Sequence, residues 1–429
     1  MYRIALLLSF ICFASFVYAQ TRTDAELSKI LMNSKSPLMK NVIANKDTFR
    51  LQIIYTQIDR DKNNNPVFRH LHFNVDRDLY FNPASTVKLP LALLALEKLN
   101  EINIKGVDKY TAMQIDSTYE GQVTAYYDST SETNYPSIAH YIRKALLVSD
   151  NDAYNRLYQF VGQKTVKQRL AAMGFEGTRI NRQFMGFSDE QNRHTNQIRF
   201  IDKSGNVIYT QPPAYNDDPY IYGKPVFMGR GHLNRNDSLI LEPIDFTKAN
   251  DVPLAELQRI LQSVMFPESL PSDKRWNFTE DDFEFMYRYL SQYPSETSYP
   301  KYDTSQYYDS YVKFYFRGKH RMPEGVRVFN KVGWAYGFLT DVSYVANFNN
   351  GVEFMLTATL YVNSDGILND NKYEYKSVGW PFLYELGQTI YKYELNRRRS
   401  RKPDLSRFKV KYEKRDPRDT RPSLKDIDN

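Results

Sequence analysis

Ser85 and Lys88 are the residues of this sequence whose types and spacing most clearly favour chemistry. They stand three positions apart in Ser85-Thr86-Val87-Lys88, so a helix that begins here puts both side chains on one face, one turn apart. A serine hydroxyl is a poor nucleophile until a base takes its proton, and a desolvated lysine can lose its charge and become that base. The pair therefore predicts an activated nucleophile, although the pattern alone also fits a capping serine beside a solvated lysine.

Two further motifs follow along the chain. Ser149-Asp150-Asn151 comes directly after an apolar run, and Lys331-Val332-Gly333 lies in a stretch that is typical of a strand. Ser-x-x-Lys, then Ser-Asp-Asn, then Lys-(Ser/Thr)-Gly is the motif order of the penicillin-recognising serine enzymes. The sequence therefore resembles the class A β-lactamase-like serine hydrolases, over residues 25–395 with a long insertion in the middle.

The resemblance implies a catalytic role for four residues. Ser85 attacks a carbonyl, and Lys88 takes the proton of its hydroxyl, directly or through water. Ser149 passes a proton to the leaving nitrogen. Lys331 supplies positive charge, which helps Lys88 to lose its proton and attracts a carboxylate of the substrate.

The same resemblance implies three substrate-binding positions. Asn151 is expected to hold a side-chain amide of the substrate, and Gly333 is expected to let the substrate approach its strand closely. The backbone N–H of Trp334 would form an oxyanion hole together with that of Ser85. Asp150 is expected to be buried and structural.

Two departures from the family pattern bear on the reaction. Val332 stands where the family has threonine or serine, so a hydroxyl that would contact the substrate carboxylate is missing. Phe184 stands where a glutamate is expected to activate the water that releases the acyl group. Asp189 or Glu190 offers a replacement for this glutamate, but both also fit ordinary surface carboxylates. Without a positioned base, we expect a long-lived acyl-enzyme.

Three functions are compatible with these observations. The first is an exported serine acyl hydrolase that opens a β-lactam or a related amide through a Ser85 acyl-enzyme. The second is a slowly deacylating, penicillin-binding D,D-peptidase-like hydrolase that acts on cell-wall peptides. The third is a non-catalytic cell-wall binding protein, which the joint presence of Ser85, Lys88, Ser149 and Lys331 disfavours.

The predicted fold class is α+β, an α/β sandwich-like arrangement of the β-lactamase/transpeptidase kind. An antiparallel sheet is formed by both chain ends, and a helical subdomain is inserted between them. Periodicity predicts helices over 24–46, 138–160 (two, broken at Ser149) and 380–395, a helix from Ser85 onward, strands over 51–58, 67–73, 327–331, 341–347 and 352–362, and a hairpin over 198–210.

The chain begins with a sequence typical of a secretory signal. Arg3 precedes the apolar run 4–17, which is short for a membrane span, and a small-residue cleavage site follows before Gln20; a retained anchor is the alternative. We therefore expect a signal peptide over 1–19, a catalytic domain over 20–395 with an insertion around 186–320, and a periplasmic or secreted protein. Cys12 lies in the signal, so the mature chain lacks thiol ligands and disulfides.

The net charge of +7 belongs entirely to the end of the chain. Between Arg397 and Asn429 there are thirteen Lys/Arg and six Asp/Glu, so the catalytic body is neutral. We expect 396–429 to be a disordered basic tail, with weak contact to an anionic envelope surface as an option. No cofactor, metal or nucleic-acid partner is expected, since the six histidines show no ligand spacing and no phosphate loop is visible. The tyrosines of 302–315 fit either a sugar-stacking surface or internal packing.

Overall fold

A five-stranded antiparallel sheet forms the centre of the molecule, with its strands in the spatial order 326–335, 338–347, 352–361, 52–60 and 66–73. The computed structural model describes residues 22–319 and 321–425. Its strands are β1 (Gln52–Arg60), β2 (Pro66–Phe73), β3 (Ala112–Ile115), β4 (Ile198–Ile201), β5 (Val207–Gln211), β6 (Phe227–Met228), β7 (Gly231–Leu233), β8 (Leu239–Ile240), β9 (Ile244–Asp245), β10 (Val326–Ala335), β11 (Phe338–Asn347), β12 (Val352–Tyr361) and β13 (Ile367–Leu368). Because β1 pairs with β12, the sheet joins the two ends of the chain.

Helices cover both faces of this sheet. They are α1 (Ala25–Met32), α2 (Pro37–Ala44), α3 (Lys88–Ile102), α4 (Ile138–Leu147), α5 (Asn151–Val161), α6 (Gln163–Ala172), α7 (Leu254–Met265), α8 (Glu280–Ser291) and α9 (Trp380–Asn396). α1, α2 and α9 share one apolar core with the sheet. α3 to α8 share a second core on the opposite face. Within the described ranges, no helix has the length and apolar character needed to cross a membrane.

The predicted α+β class and the sheet built from both chain ends are confirmed. The predicted hairpin over 198–210 is present as β4 and β5, and the three strands predicted near the end are β10, β11 and β12. The helix predicted over 24–46 divides into α1 and α2, because Pro37 begins a new helix that Ser36 caps. The predicted signal peptide over 1–19 lies outside the described residues.

The predicted disordered tail is contradicted by the structure up to residue 425. Leu405 and Phe408 are buried in the core around α3 to α8. Beyond them, Arg415 donates to the carbonyls of Pro294 and Thr297. Two apolar side chains anchor this cationic segment, and Arg407, which lies between them, donates to the Glu268 carboxylate and the Met265 carbonyl on the body.

The region predicted as an insertion around 186–320 does not form a separate unit. α7 and α8 within it belong to the same apolar core as α3, α4 and α5. The tyrosines predicted either to stack on sugars or to pack internally include three that are buried, Tyr302, Tyr307 and Tyr315. Internal packing therefore accounts for these three.

Candidate active site

Ser85 lies in a tight 3-10 turn, Ala84–Val87, that leads directly into α3. Ala84 has a φ of 43°, a left-handed conformation that is costly for a residue with a side chain. The carbonyl oxygen of the Asn82 side chain accepts a hydrogen bond from the Ala84 N–H at 2.8 Å and helps to hold this conformation. The strained turn fixes Ser85 at the start of a buried helix.

Lys88 is fully buried one turn after Ser85. Its Nζ lies 2.9 Å from Ser85 Oγ and 2.7 Å from Asn151 Oδ1. It also contacts Ser149, through the backbone carbonyl and, at 3.3 Å, through Oγ. The one-turn spacing read from the sequence therefore places the amine against the hydroxyl, with the Ser-Asp-Asn motif around it.

The Ser-Asp-Asn motif forms the turn between α4 and α5. Ser149 has a φ of 69°, and Asp150 is buried and caps α5 by accepting a hydrogen bond from the Ala153 N–H at 2.8 Å. Lys144 makes an ion pair with Asp150 at 3.4 Å. Asp150 is thus a structural residue that aims its two neighbours, Ser149 and Asn151, at Lys88.

Lys331 on β10 completes this buried group. Its Nζ donates to Ser149 Oγ at 2.9 Å and to the Val332 carbonyl at 2.8 Å. Complete burial, together with repulsion from Lys88, holds the pKa of Lys331 well below its usual range. The hydroxyl of Ser149 therefore bridges two buried amines that repel each other when both are charged, which favours loss of one proton from the group.

Gly333 allows β10 to lie directly against the turn that carries Ser85. A Cβ at this position would stand 2.5 Å from the Pro83 carbonyl oxygen and 2.9 Å from the Ser85 nitrogen, both backbone atoms. The sequence predicts that this glycine lets a substrate approach the strand closely. In the structure, the glycine instead lets the strand contact the Ser85 turn.

Val332 faces away from the site. Strand side chains alternate, so Val332 lies on the α9 side of β10, where it is fully buried in the same apolar core as Leu339 and Phe382. The Val332 side chain, which lacks the hydroxyl of the family pattern, therefore packs in the apolar core and not in the site. Trp334, two residues on, packs its ring 5.7 Å from that of Phe314 on the same side of the strand.

A cleft of about 570 Å³ opens beside Ser85. Asn151 and Trp334 line it, as the sequence predicts for substrate-binding positions. Phe246 and Tyr336 also line it, and their rings pack edge to face at 5.0 Å. Sequence reasoning missed these two aromatics. The Tyr336-Gly337 turn, with both φ angles positive, was a readable hairpin signal, whereas the Phe246 segment carries no motif.

The position of the expected glutamate is occupied by an aromatic ring in the cleft. Phe184 lines the cleft, and its ring centre lies 5.2 Å from Lys88 Nζ. Asp189 pairs with Lys248 at 2.7 Å, and Glu190 contacts His194 at 3.2 Å. Neither carboxylate is among the residues that line the cleft, so the replacement considered from sequence is not brought to Ser85.

The described part of the chain contains no group of three or more His, Cys, Asp or Glu arranged to hold a metal ion. Of the six histidines considered from sequence, His70, His72, His140, His194 and His232 are described. His140 bonds to Asp128 at 3.0 Å and His70 to Thr56 at 2.8 Å. These two imidazoles therefore serve internal hydrogen bonds.

Comparison with known proteins bears on residues 38–206, which match the sequence model of the β-lactamase enzyme family. The match includes the first two motifs, whereas Lys331 lies beyond it. No curated protein is matched by the sequence. Among solved structures, the chain is similar to a β-lactamase from Chitinophaga pinensis, with 10% identity and a TM-score of 0.47 over 83% of this chain and 99% of that one.

Two further solved structures give similar values. A β-lactamase from Sphaerobacter thermophilus shares 13% identity with a TM-score of 0.45, covering 85% of this chain and 98% of that one. An ancestral class A β-lactamase shares 15% identity with a TM-score of 0.45, covering 82% and 98%. The predicted resemblance to the β-lactamase-like serine enzymes is confirmed over residues 38–206 by the family match.

Proposed function

We propose that this protein is a serine acyl hydrolase that acts on a β-lactam or a related amide through an acyl-enzyme on Ser85. The observation that carries the proposal is the 2.9 Å contact between Ser85 Oγ and the buried Lys88 Nζ. A nucleophile within hydrogen-bond reach of a desolvated base, which is itself oriented by further groups, is the arrangement that activates a serine. Asn151 and Ser149 supply that orientation.

Acylation follows from these contacts. Ser85 Oγ attacks the carbonyl carbon while Lys88, as a neutral amine, accepts the hydroxyl proton. Ser149 lies within 3.3 Å of Lys88 Nζ and can pass a proton on to the leaving nitrogen as the C–N bond breaks. Because the two buried amines repel each other when both are charged, the pair favours loss of one proton, and we assign the neutral state to Lys88 before the attack.

The charge that develops on the carbonyl oxygen requires donors near the nucleophile. The N–H groups of Ser85 and Trp334 are the donors we assign, because the close approach of Gly333 to the Ser85 turn brings their two backbones together. Two such preorganised donors stabilise the tetrahedral intermediate without reorganisation at the moment of reaction.

Release of the acyl group is expected to be slow. Phe184 faces Lys88 where a carboxylate would have to activate water. This observation favours a slowly deacylating, D,D-peptidase-like hydrolase of cell-wall peptides as the second candidate. A non-catalytic binding protein is the third, and the buried Lys88–Ser149–Lys331 group argues against it because burying two amines costs stability.

Time-resolved intact mass of the protein with a penicillin, beside Ser85→Ala, tests the proposal. We expect an adduct on the wild type and none on the variant. A persistent adduct supports the slow, peptidase-like candidate, whereas opened drug with little adduct supports a β-lactamase. If neither signal is seen and a cell-wall pentapeptide is also inert, the proposed hydrolase is overturned.

Export is proposed separately, from the sequence of residues 1–19. Expression of the full-length chain in a bacterial host, followed by mass measurement of the periplasmic fraction, tests it. We expect a protein that begins at Gln20. Retention of the whole chain in the membrane fraction would instead indicate an uncleaved anchor.

A further inference from the structure

Four consecutive backbone N–H groups, from residue 181 to residue 184, all donate to asparagine side chains. Asn250 Oδ1 accepts from Asn181 at 2.8 Å and from Arg182 at 3.1 Å. The next two N–H groups of the segment are accepted by two other asparagines. This run of donors is therefore satisfied by side chains and not by a strand or helix.

The remaining two asparagines belong to different parts of the fold. Asn192 Oδ1 accepts from the Gln183 N–H at 2.8 Å, and Asn155 Oδ1, on α5, accepts from the Phe184 N–H at 2.8 Å. Asn155, Asn192 and Asn250 are all buried, with exposed fractions of 5%, 2% and 6%. We call these three residues the asparagine clamp.

The amide nitrogens of the clamp are used as well. Asn250 Nδ2 donates to the Arg182 carbonyl at 3.2 Å, and Asn192 Nδ2 donates to the Ser188 carbonyl at 2.8 Å. Tyr154, beneath the segment, donates to the same Arg182 carbonyl at 2.8 Å. Because a buried N–H without a partner is costly, each clamp bond resists movement of the segment.

The clamp determines where the Phe184 ring lies. The ring stacks on Tyr154 at 4.3 Å between centroids, lines the cleft beside Ser85, and stands 5.2 Å from Lys88 Nζ. A rigid aromatic ring in this place removes volume that water would otherwise occupy next to the nucleophile.

We propose that the asparagine clamp holds Phe184 as a hydrophobic shield that keeps water from the ester carbonyl of the Ser85 acyl-enzyme and thereby sets its lifetime. The inference rests on the proposed acyl-enzyme. In the step that is slowed, a water oxygen bonds to the carbonyl carbon, the bond to Ser85 Oγ breaks, and a proton from the water returns to that oxygen, which leaves the free acid. Asn155, Asn192 and Asn250 are positioning residues for this step.

The test measures the rate constants for adduct formation and adduct loss separately, by intact mass with a penicillin. Phe184→Leu keeps an apolar side chain but opens the shield, and we expect adduct loss to become about 10-fold faster or more. Asn250→Ala frees two N–H groups, and we expect a smaller acceleration in the same direction. Asn250→Asp keeps the accepting oxygen but loses the Nδ2 donor to the Arg182 carbonyl, and we expect a lifetime between those of the wild type and Asn250→Ala.

Asn196→Ala is the matched control. Asn196 is a fully buried asparagine that donates to the Asp116 carbonyl, away from the segment 181–184. We expect it to lower the melting temperature without changing the adduct lifetime. If adducts form but their lifetimes are equal in the wild type, Phe184→Leu and Asn250→Ala, the shield is refuted while the acyl-enzyme stands. If the wild type forms no adduct with a penicillin or with a cell-wall pentapeptide, both proposals fall.

Discussion

The two faces of strand β10 bury polar groups in different ways. On the face toward Ser85, Lys331 donates to the hydroxyl of Ser149, a group that itself contacts Lys88. On the face toward α9, Asn330 lies between a buried amine and a buried carboxylate: Lys313 donates to its Oδ1 at 2.7 Å, and its Nδ2 donates to Asp341 at 2.9 Å. One strand thus serves two buried networks, because its side chains alternate.

The difference separates a group suited to reaction from a group suited to structure. Lys313 is held by two oxygens that do not change during chemistry, those of Asn330 and the Leu290 carbonyl at 2.7 Å. Lys331 is held by a hydroxyl that can also give its proton away. Burial lowers the pKa of Lys313 to about 7 and holds that of Lys331 well below its usual range. Low lysine pKa values therefore do not by themselves identify the catalytic face.

The largest expected effect comes from removing the proposed nucleophile, Ser85, on one side of β10. Ser85→Ala is expected to lower acylation by about 10³-fold or more, because the remaining groups have no attacking atom to activate. Ser204→Ala, in the exposed turn between β4 and β5, is the control. Adduct formation by the Ser85→Ala variant at the wild-type rate would show that Ser85 is not the nucleophile.

Replacing Lys331 or Lys313 by methionine separates the roles of the two buried amines. Lys331→Met is expected to lower the acylation rate by about 10²–10³-fold, because Ser149 loses a donor of its proton relay. Lys313→Met is expected to lower the free energy of unfolding by about 1–3 kcal/mol, because two buried oxygens lose their donor, with acylation within a few-fold of the wild type. Intact mass measures the acylation rates, and urea unfolding measures the free energies of unfolding. If Lys313→Met slowed acylation and Lys331→Met lowered only the stability, the α9 side of β10 would be the reactive one.

Neighbouring residues of β10 offer a smaller test. Gly333→Ala is expected to slow acylation by about 10²-fold, because its Cβ meets backbone atoms of the Ser85 turn and displaces the nucleophile. Val332→Thr is expected to cost about 1–3 kcal/mol of stability, because its hydroxyl enters an apolar core, with no gain in affinity for a carboxylate substrate. Improved binding in the threonine variant would show that this side chain does reach the cleft.

A further effect concerns the pH dependence of stability. Complete burial raises the pKa of Asp341 to about 7, although hydrogen bonds from Asn330 and Ser343 oppose the shift. The folded protein therefore holds a proton that the unfolded chain releases near pH 4, so this contribution is complete below about pH 4 and is lost as the pH rises toward about 7. Asp341→Asn is expected to reduce this fall in the free energy of unfolding with rising pH, by about 2–4 kcal/mol at most. Urea unfolding at pH 5 and pH 7 measures the free energy of unfolding of the wild type and of Asp341→Asn. An equal fall between the two pH values in both proteins would contradict the prediction.

The sequence predicted the motif geometry well because short spacing fixes it locally. Ser85 and Lys88 are one helical turn apart, and the Ser149 turn follows from a helix that ends and another that begins. That Lys331 contacts Ser149 depends on the sheet, and only the family resemblance brought the two together. The alternation of side chains along β10 can be read from the sequence, yet the expected substrate contact at position 332 did not take this alternation into account.

Two other features were beyond sequence reasoning for physical reasons. The asparagine clamp is made by residues 155, 192 and 250, whose meeting depends on tertiary packing and leaves no local pattern. The segment after Arg397 has a composition typical of disorder, but Phe408 packs 5.0 Å from Tyr344 and 5.7 Å from Phe266, between ring centroids. Average composition cannot register the effect of a single well-placed aromatic residue.

The pairing of β1 with β12 has a consequence for how the chain acquires its structure. Gln52 stands opposite Thr359, so β1, an interior strand of the sheet, is made early in synthesis and receives its second neighbour, β12, only much later. Leu405 and Phe408 are added to the other core later still. Contacts this distant in sequence slow folding, and an unpaired strand edge invites association with other chains. A chain shortened before Val352 lacks β12, the second neighbour of β1, and is therefore expected to aggregate instead of yielding a smaller folded protein.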